Sequence, residues 1–407
     1  MSTGLVITDH VTPELAPLAD LRALAAVRVG ARTGLERWCQ ALGAPAVGLA
    51  CDPARAAMLA EQHPGLAVNA TPAADGGLYA VGGDWPIPPA EAGQLGLGQA
   101  IVDPTDGGLI VALVRSSDLP AALAGRWSQI GVRASELPAE PQGRAPLRRP
   151  WHARALRDAA LAEDLERLSG DTPVYVPGPG VISLGTRGLF AGPGARVAPG
   201  VVLDHESGPI VIGPGAVLRP ACTVIGPAYI GAGSTVLDRA VIRPGTAIGP
   251  MCKINGEVGG VTFQGHANKA HDGYLGDTWV GAWVNLGAGT TGSNLLNTYG
   301  EVTAVAVPGG SAERTGQRFF GAVIGDHVKT AIGTRLMTGS VLHTGAMIAT
   351  TAAVSGCVPR FAWRTDGGSQ RYRLARFVEV MRAVMSRRGV EPSAAYLARV
   401  GALHATP

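Results

Sequence analysis

Aliphatic residues recur at every sixth position through the middle of the chain. A period of six fits neither an amphipathic helix, which repeats every 3.6 residues, nor an alternating strand, which repeats every two. It is typical of a β-helix, in which each hexad forms a short strand and a turn and three hexads close one coil. The uninterrupted series consists of Ile212, Leu218, Val224, Ile230, Val236, Ile242, Ile248 and Ile254.

The repeat has two interruptions. The same register returns after residue 279 and again after residue 323, with Thr330 as the one exception. A small residue stands two positions before most of the aliphatic ones, which predicts a tight corner at each turn of the coil. We expect residues 255–279 and 287–323, which break the rhythm, to be loops that leave the coil, and such loops often carry function.

The sequence on either side of the repeat has a different character. Residues 1–150 lack the rhythm and alternate short apolar runs with helical patterns, which predicts a small α/β domain. We expect residues 151–172 to form a linker helix, residues 173–360 to form the β-helix, and residues 361–407 to form a short helical tail. Such a tail can cover the open end of a solenoid, where backbone groups would otherwise be unpaired.

Composition argues against several classes of protein. The chain has 407 residues, of which 46% are hydrophobic, and its formal net charge of +3 argues against nucleic-acid binding through bulk charge. No run of 18 apolar residues appears, and the first ten residues lack a signal-peptide pattern, so we expect no membrane span and a cytoplasmic location. The five cysteines form no CxxC pair, which argues against a disulfide framework or a zinc knuckle.

Lysine is scarce in this chain. Only three of the 34 basic residues are lysines, and all three lie between positions 253 and 329. Lysine persists where a compact ammonium group cannot be replaced by the planar guanidinium of arginine. Chance explains the clustering about as well as function does. The three are Lys253, Lys269 and Lys329.

The densest group of polar residues lies in and after the first interruption. It reads N-K-A-H-D-G-Y-L-G-D over residues 268–277, V-N-L-G-A-G-T over residues 284–290, and S-N at residues 293–294. These motifs resemble the acetyltransferase half of the bifunctional family of UDP-N-acetylglucosamine pyrophosphorylase/glucosamine-1-phosphate N-acetyltransferase. They resemble more closely a divergent bacterial branch of sugar nucleotidyltransferases. The likeness is specific over roughly residues 250–350 and generic in the rest of the solenoid.

The resemblance implies a fold, an assembly and a chemistry. The fold is a left-handed parallel β-helix of hexapeptide repeats, preceded by a reduced nucleotidyltransferase-like α/β domain, and the assembly is a homotrimer. His271 matches the catalytic base, which removes a proton as an amine attacks the thioester of acetyl-CoA, a task that suits a group titrating near neutrality. The implied substrate contacts are Lys269, Tyr274, Asn285 and Asn294. The implied acetyl-CoA contacts are Ala288, Lys329 and Ala349.

The sequence departs from the bifunctional family at two places. The loop after Asn294 lacks the lysine that the family carries there, which leaves the accepted sugar phosphate open. The N-terminal G-x-G-T-R loop of the known pyrophosphorylases is also missing. Instead, the run R-V-G-A-R-T-G-L-E-R-W at residues 28–38 is similar to the divergent branch, and Arg28 and Arg32 are its candidate phosphate contacts. A helix start with surface arginines explains the run equally well, and Mg²⁺ stays open as a cofactor of this domain.

Four functions fit these observations. The leading hypothesis is an acetyl-CoA-dependent N-acetyltransferase for an amino-sugar phosphate or sugar nucleotide, fused to a nucleotidyltransferase-like domain. The alternative is a sugar-1-phosphate nucleotidyltransferase whose β-helix only assembles the trimer. A metalloenzyme of the γ-carbonic anhydrase type is less favoured, because His266 and His271 have the required spacing but a third histidine is missing where it is needed. The fourth is a trimeric scaffold without activity.

Overall fold

The computed structural model describes residues 4–72, 76–137 and 143–406. An α/β domain comes first, a left-handed parallel β-helix follows, and helices end the chain, so the predicted fold class is confirmed. The helices are α1 (Gly34–Leu42), α2 (Pro53–Gln62), α3 (Leu119–Leu123), α4 (Trp127–Ile130), α5 (His152–Ala155), α6 (Arg157–Asp171), α7 (Leu374–Ser386) and α8 (Ala394–Ala405). Short 3₁₀ segments are Pro13–Leu15, Leu24–Ala26, Ala90–Gln94 and Ser116–Asp118.

The N-terminal domain is built on one mixed sheet. Its strands are β1 (Gly4–Asp9), β2 (Ala46–Cys51), β3 (Ala67–Val68), β4 (Gly77–Gly82), β5 (Gln99–Val102), β6 (Leu109–Arg115) and β7 (Arg133–Glu136). They lie in the order β3-β2-β1-β4-β6-β5-β7, and β1 is parallel to both β2 and β4. From β1 the chain adds β2 and then β3 toward one edge of the sheet. It then returns to place β4 on the opposite side of β1. The carboxyl ends of β1 and β4 therefore border the switch point at which open α/β sheets bind ligands.

The β-helix is a triangular prism with three faces of parallel strands. The first face consists of Arg196–Val197, Val217–Leu218, Thr235–Val236, Lys253–Ile254, Asn268–Lys269, Lys329–Thr330, Met347–Ala349 and Ala362–Thr365. The second face consists of Ile182–Leu184, Val202–Asp204, Thr223–Ile225, Val241–Ile242, Glu257–Gly259, Tyr274–Gly276, Thr291–Gly292 and Arg335–Leu336. The third face consists of Leu189–Ala191, Ile210–Ile212, Ala228–Ile230, Thr246–Ile248, Thr262–Phe263, Trp279–Val280, Ala322–Ile324, Ser340–Leu342 and Cys357–Val358. The aliphatic series predicted from the sequence fills the interior of the prism as one buried cluster.

The first interruption of the repeat does not leave the coil. Thr235 pairs with Lys253, which is 18 positions later, but Lys253 pairs with Asn268, which is only 15 positions later. The prediction of a loop over residues 255–279 is therefore wrong. The strands continue there, and the six-residue rhythm fails because the coils are shorter.

The second interruption does leave the coil. The chain departs after Thr291–Gly292 and returns at Ala322–Ile324, and the excursion contains the antiparallel pair Thr303–Ala304 and Glu313–Arg314. Its apolar residues pack in one cluster with Trp151 and with residues of the N-terminal domain. The excursion therefore helps to join the two halves of the chain.

Helix α6 lies between the N-terminal domain and the solenoid instead of bridging a gap. On one side, Arg37 of α1 donates to both carboxylate oxygens of Asp164, with Nε–Oδ1 and Nη2–Oδ2 distances of 2.8 and 2.7 Å. Both side chains are buried, so neither charge can lose its partner without a cost of several kcal/mol. On its other side, α6 packs Leu161 and Leu165 against Val211 and other apolar residues of the third face.

The C-terminal helices lie along the side of the prism. Phe377 of α7 makes edge-to-face contacts with Phe361 and His327, with ring centroids 4.9 and 5.9 Å away. Tyr396 of α8 hydrogen-bonds His327 Nε2 at 2.8 Å. The helical tail is confirmed, but its expected position over the open end is wrong, because its apolar residues cover the edge between the third and first faces. The last strand of the first face pairs instead with Gly368–Arg371.

His343 is buried where the excursion meets the third face. Its Nε2 atom donates to the carbonyl oxygen of Ala306 in the excursion, with a distance of 2.9 Å. Burial lowers the pKa of His343 to about 4, so the ring is neutral at pH 7.

We predict that His343 makes the fold sensitive to acid. Below pH 6.5 the unfolded chain binds a proton at this ring that the folded chain does not bind until about pH 4, so stability falls as the pH falls through this window. The loss from this group between pH 7 and pH 5 is about 2 kcal/mol. Urea unfolding at both pH values measures it. The matched variant His343→Gln keeps a donor for Ala306 without a titrating ring, and an equal pH effect in both proteins would contradict the prediction.

Candidate functional site

Most of the residues singled out in the solenoid sequence lie on or beside one edge of the prism. This edge joins the first and second faces and consists of residues 270–273, 287–290 and 331–334 on successive coils; we call it the His271 edge. Two contacts hold these coils in line: the Gly289 N–H donates to Asp272 Oδ1 at 3.2 Å, and the Gly333 N–H donates to the Ala288 carbonyl at 2.7 Å.

His271 lies at the exposed tip of this edge. Asn285 lies on the first face, just before the edge, and pairs with Asn268 on one side and with Lys329 on the other. Tyr274 begins the second-face strand just after the edge. The arrangement places the His271 imidazole in solvent between the face that carries Asn285 and the face that carries Tyr274.

Lys269 lies inside the coil and not on its surface. It pairs with Ile254 at a position that the repeat fills with aliphatic residues, and only 2% of it is exposed. Its Nζ atom lies within hydrogen-bond distance of four backbone carbonyls, at 2.7 to 3.3 Å. These carbonyls belong to Asn255, His271, Asp272 and Gly273. Burial lowers the pKa of Lys269 to about 8. The ammonium therefore fixes the corner that carries His271, and its predicted contact with substrate stays a prediction.

A small cavity opens on the first face beside Asn285. We call it the basic pocket; its volume is about 190 Å³. Asn268 Nδ2 donates to Asn285 Oδ1 at 2.8 Å on its floor. Lys329 is largely buried there, which lowers its pKa to about 8, and its Nζ atom donates to the His327 carbonyl at 3.2 Å. The lining residues are Lys253, His266, Asn268, Trp283, Val284, Asn285, Lys329, Val384, Arg387 and Arg388.

The stacked rings of His266 and Trp283 form one wall of the basic pocket, and His327 continues the stack outside it. His266 stacks on Trp283 with centroids 4.2 Å apart, and Trp283 stacks on His327 at 6.4 Å. All three have positive φ, between 54° and 62°, because they occupy the same corner on successive coils. Burial and the nearby Arg388 lower the pKa of His266. This corner is the edge between the third and first faces, so His266 and His271 lie on different edges, which argues against a shared metal ion.

A hydrogen-bond network lies at the far end of the second face, where its strands lead toward the third face. Asn294 Nδ2 donates to Asp277 Oδ2 at 2.7 Å, and Asp277 Oδ1 accepts from Arg154 and Arg157 at 2.7 and 2.9 Å. Burial and the neighbouring Asp277 raise the pKa of Tyr274. Asp277 and the two arginines were missed by the sequence reasoning, since the arginines belong to α5 and α6, more than 100 residues earlier in the chain.

The two alanines predicted to line the acetyl-CoA groove lie at the same edge. Ala288 is half-buried within it, and Ala349 is exposed at the end of the strand Met347–Ala349 on the first face. Lys329, the third residue of that set, lies in the basic pocket instead. Their contact with acetyl-CoA stays a prediction.

Arg28 and Arg32 contact the rest of the protein through their backbones and side chains. The Arg28 N–H donates to Gln264 Oε1 on the solenoid at 2.8 Å, and the Arg32 N–H donates to Asp164 Oδ2 at 2.9 Å. Between them, Gly30 approaches α6 so closely that a Cβ atom would lie 2.8 Å from Asp164 Oδ2. The motif docks the N-terminal domain in this conformation, and its role as a phosphate site stays a prediction.

A second cavity lies at the switch point of the N-terminal sheet and was missed by the sequence reasoning. It has a volume of about 310 Å³ and is bordered by His10 after β1 and by Asp84 after β4. Arg148 Nη2 lies 3.2 Å from Asp103 and 2.8 Å from Asp106, and Nη1 lies 3.5 Å from Asp84. Burial raises the pKa of Asp84 to about 6. The run Gly82-Gly83-Asp84 directly after a strand was the available signal.

The carboxylates of this cleft are ligands of the kind that Mg²⁺ prefers. The guanidinium of Arg148 occupies the space among them, however. Within residues 4–72, 76–137 and 143–406, no three Asp, Glu, His or Cys side chains are grouped closely enough to hold a metal ion. The arrangement does not fit a resident Mg²⁺ ion.

Across those same ranges, no helix has the length and apolar character needed to cross a membrane.

Comparison with known proteins relates this chain to sugar nucleotidyl transferases and to bifunctional proteins. The family model for sugar nucleotidyl transferases matches residues 5–172. The bifunctional protein GlmU of Gloeobacter violaceus is 30% identical over 163 residues, which are 40% of this chain and 30% of that protein. GlmU of Rhodococcus opacus is 30% identical over 196 residues, which are 47% of this chain and 34% of that protein. These matches confirm the resemblance to the GlmU-like bifunctional family.

The chain spans about a third of the length of these curated relatives. Among solved structures, the acetyltransferase domain of PglB from Neisseria gonorrhoeae, in complex with acetyl coenzyme A, has 12% identity and a TM-score of 0.18. That alignment covers 68% of this chain and all of that one. A likeness this low carries no argument about function.

We predict that Lys269 stabilises the His271 edge. In Lys269→Met the side chain still fills the coil interior, but the carbonyls of residues 271–273 lose their donor, and each unsatisfied buried group costs about 1–3 kcal/mol. We expect the free energy of unfolding to fall by about 3 kcal/mol in urea titrations. Lys253→Met, which changes an exposed lysine on the same face, is the control and should change stability by less than about 0.5 kcal/mol. Equal stabilities of the two variants would refute the prediction.

Proposed function

We propose that the solenoid is an acetyl-CoA-dependent N-acetyltransferase that acts on an amino-sugar phosphate or sugar nucleotide. The observation that carries this proposal is that residues which the resemblance names separately lie on one edge and on the two faces that meet there. His271 lies at the tip of the edge, Asn285 lies just before it on the first face, Tyr274 lies just after it on the second face, and Asn294 lies at the far end of the second face.

His271 acts as the general base in this proposal. The substrate amine attacks the thioester carbonyl, a C–N bond forms, the C–S bond breaks, and CoA leaves as the thiol. The exposed imidazole takes the proton that the amine loses. Asn285 is oriented by Asn268 and Asn294 is oriented by Asp277, so both amides are held in place before the sugar binds. The Gly287 and Gly289 N–H groups already donate to Thr330 and Asp272, so they do not serve as oxyanion donors in this conformation.

The proposed assembly is a homotrimer, as in the family that the chain resembles. Ala288 and Ala349 lie at an open edge, which fits a cofactor groove completed by a neighbouring subunit. The proposed location is the cytoplasm, where acetyl-CoA and sugar nucleotides are available.

We predict that His271→Ala lowers the rate of CoA release from acetyl-CoA, with glucosamine-1-phosphate as acceptor, by at least about 10²-fold, because loss of a general base has this effect. A thiol reagent measures the released CoA. The control is His63→Ala at the end of α2, which should keep the wild-type rate. If His271→Ala retains the full rate, His271 is not the base. If the wild type releases CoA with neither amino-sugar phosphates nor amino-sugar nucleotides, the acetyltransferase proposal fails.

The second candidate function is sugar nucleotidyl transfer in the N-terminal domain. Two observations favour it: the family match over residues 5–172 and a cleft at the switch point of the sheet. Arg148 would contact nucleotide phosphates there once it leaves its carboxylate partners. We propose that Mg²⁺ enters bound to the nucleotide.

We predict that the wild type releases pyrophosphate from UTP in the presence of a sugar 1-phosphate and Mg²⁺, and that Asp84→Asn lowers this rate at least about tenfold, because it removes a charged group from the cleft. A coupled pyrophosphate assay measures the rate. Asp238→Asn, at an exposed position on the solenoid, is the matched control. If the wild type releases no pyrophosphate, this domain has only a docking role.

A further inference from the structure

The basic pocket has an unbalanced charge. Lys253, Lys329, Arg387 and Arg388 line it, and none of its lining residues is acidic. No ion pair found among the described residues involves any of these four cations. Four uncompensated positive charges around one small cavity repel one another and attract an anion.

Two half-buried residues in the pocket also lack a full set of partners. The ammonium of Lys329 has three hydrogens and donates to one carbonyl, that of His327. His266 Nδ1 is buried without a hydrogen-bond partner in the described part of the chain. Buried polar groups are normally satisfied, so the unpaired His266 Nδ1 and the free donors of Lys329 in one cavity favour a ligand that completes them.

The position of the arginine pair supports the same conclusion. Arg387 and Arg388 follow the last residue of α7, where cations also favour the negative end of the helix dipole. The dipole accounts for basic residues at this end but not for their position opposite two lysines of the solenoid. Arg382 of α7 has an acidic partner, because it pairs with Glu391. The two arginines that face the pocket have no such partner among the described residues.

We propose that the basic pocket binds one or two phosphate groups of a substrate. The volume of about 190 Å³ is below the range of about 300–1,000 Å³ that is usual for drug-sized ligands, so the pocket fits a phosphate or diphosphate group and not a whole nucleotide. Asn285 links the pocket to the His271 edge, since it lines the first and flanks the second. A phosphate held there would anchor a molecule whose reacting end lies at His271. The assignment to a substrate rests on the proposed acetyltransferase, whereas anion binding does not.

Pyrophosphate is the probe that tests anion binding. Isothermal titration of the wild type should show saturable binding that weakens as salt is added. The double variant Arg387→Gln/Arg388→Gln should bind at least about tenfold more weakly, and Lys253→Gln should also bind more weakly. The control is Arg187→Gln, an exposed arginine of the first coils, which should bind as the wild type does. An absence of binding to the wild type, or equal binding by the double variant, would overturn the proposal.

Competition identifies the source of the phosphate. CoA, dephospho-CoA and glucosamine-1-phosphate are each added to the pyrophosphate complex. Displacement by CoA but not by dephospho-CoA assigns the pocket to the 3′-phosphate of the cofactor. Equal displacement by both assigns it to the diphosphate that the two molecules share. Displacement by glucosamine-1-phosphate assigns it to the acceptor. If none of them displaces pyrophosphate, the substrate assignment is wrong. Pyrophosphate binding without CoA release in the transfer assay would separate failure of the acetyltransferase proposal from failure of the anion site.

Discussion

Parallel coils about 4.8 Å apart are the constraint on which the proposed site depends. Stacking turns residues that are distant in sequence into neighbours on one face: Lys253, Asn268, Asn285 and Lys329 are separated by 15, 17 and 44 positions, yet each pairs with the next. The interval of 44 is possible because the excursion leaves and rejoins the prism without disturbing the stack. Any side chain in this column therefore has a fixed spacing to those above and below it, as a preorganised polar surface requires.

The N-terminal domain contributes to the solenoid surface as well as being carried by it. Arg154 and Arg157 contact Asp277, which in turn holds Asn294 at the end of the second face. The buried Arg37–Asp164 pair fixes α6 to helix α1 of the N-terminal domain. A change in the packing of α6 would therefore reach the second face through Asp277. This dependence gives a structural reason for the two halves to be fused in one chain.

The fold was largely predictable, but the roles of individual polar residues were less so. Periodicity located the β-helix because each strand requires an interior aliphatic residue, whichever residues form the corner. Shortened coils obscured this signal at residues 255–279, where pairing continues although the period changes. Lys269 shows the limit for side chains: the resemblance implied a substrate contact, yet the change of period places the ammonium inside the coil. Arg28 shows the same limit, because its partner Gln264 is 236 residues away.

The sequence by itself determined the β-helix, the α/β domain before it, the helical tail and the motif around His271, because these depend on local period and residue type. Only the tertiary structure decided that the tail lies along the side of the prism and that α6 is packed between the two halves. It also decided that lysines of the solenoid face, across one cavity, the arginines that follow α7. Local patterns specify which side chains are buried within an element. They do not specify which element covers which face, because that depends on apolar and charged groups hundreds of residues apart.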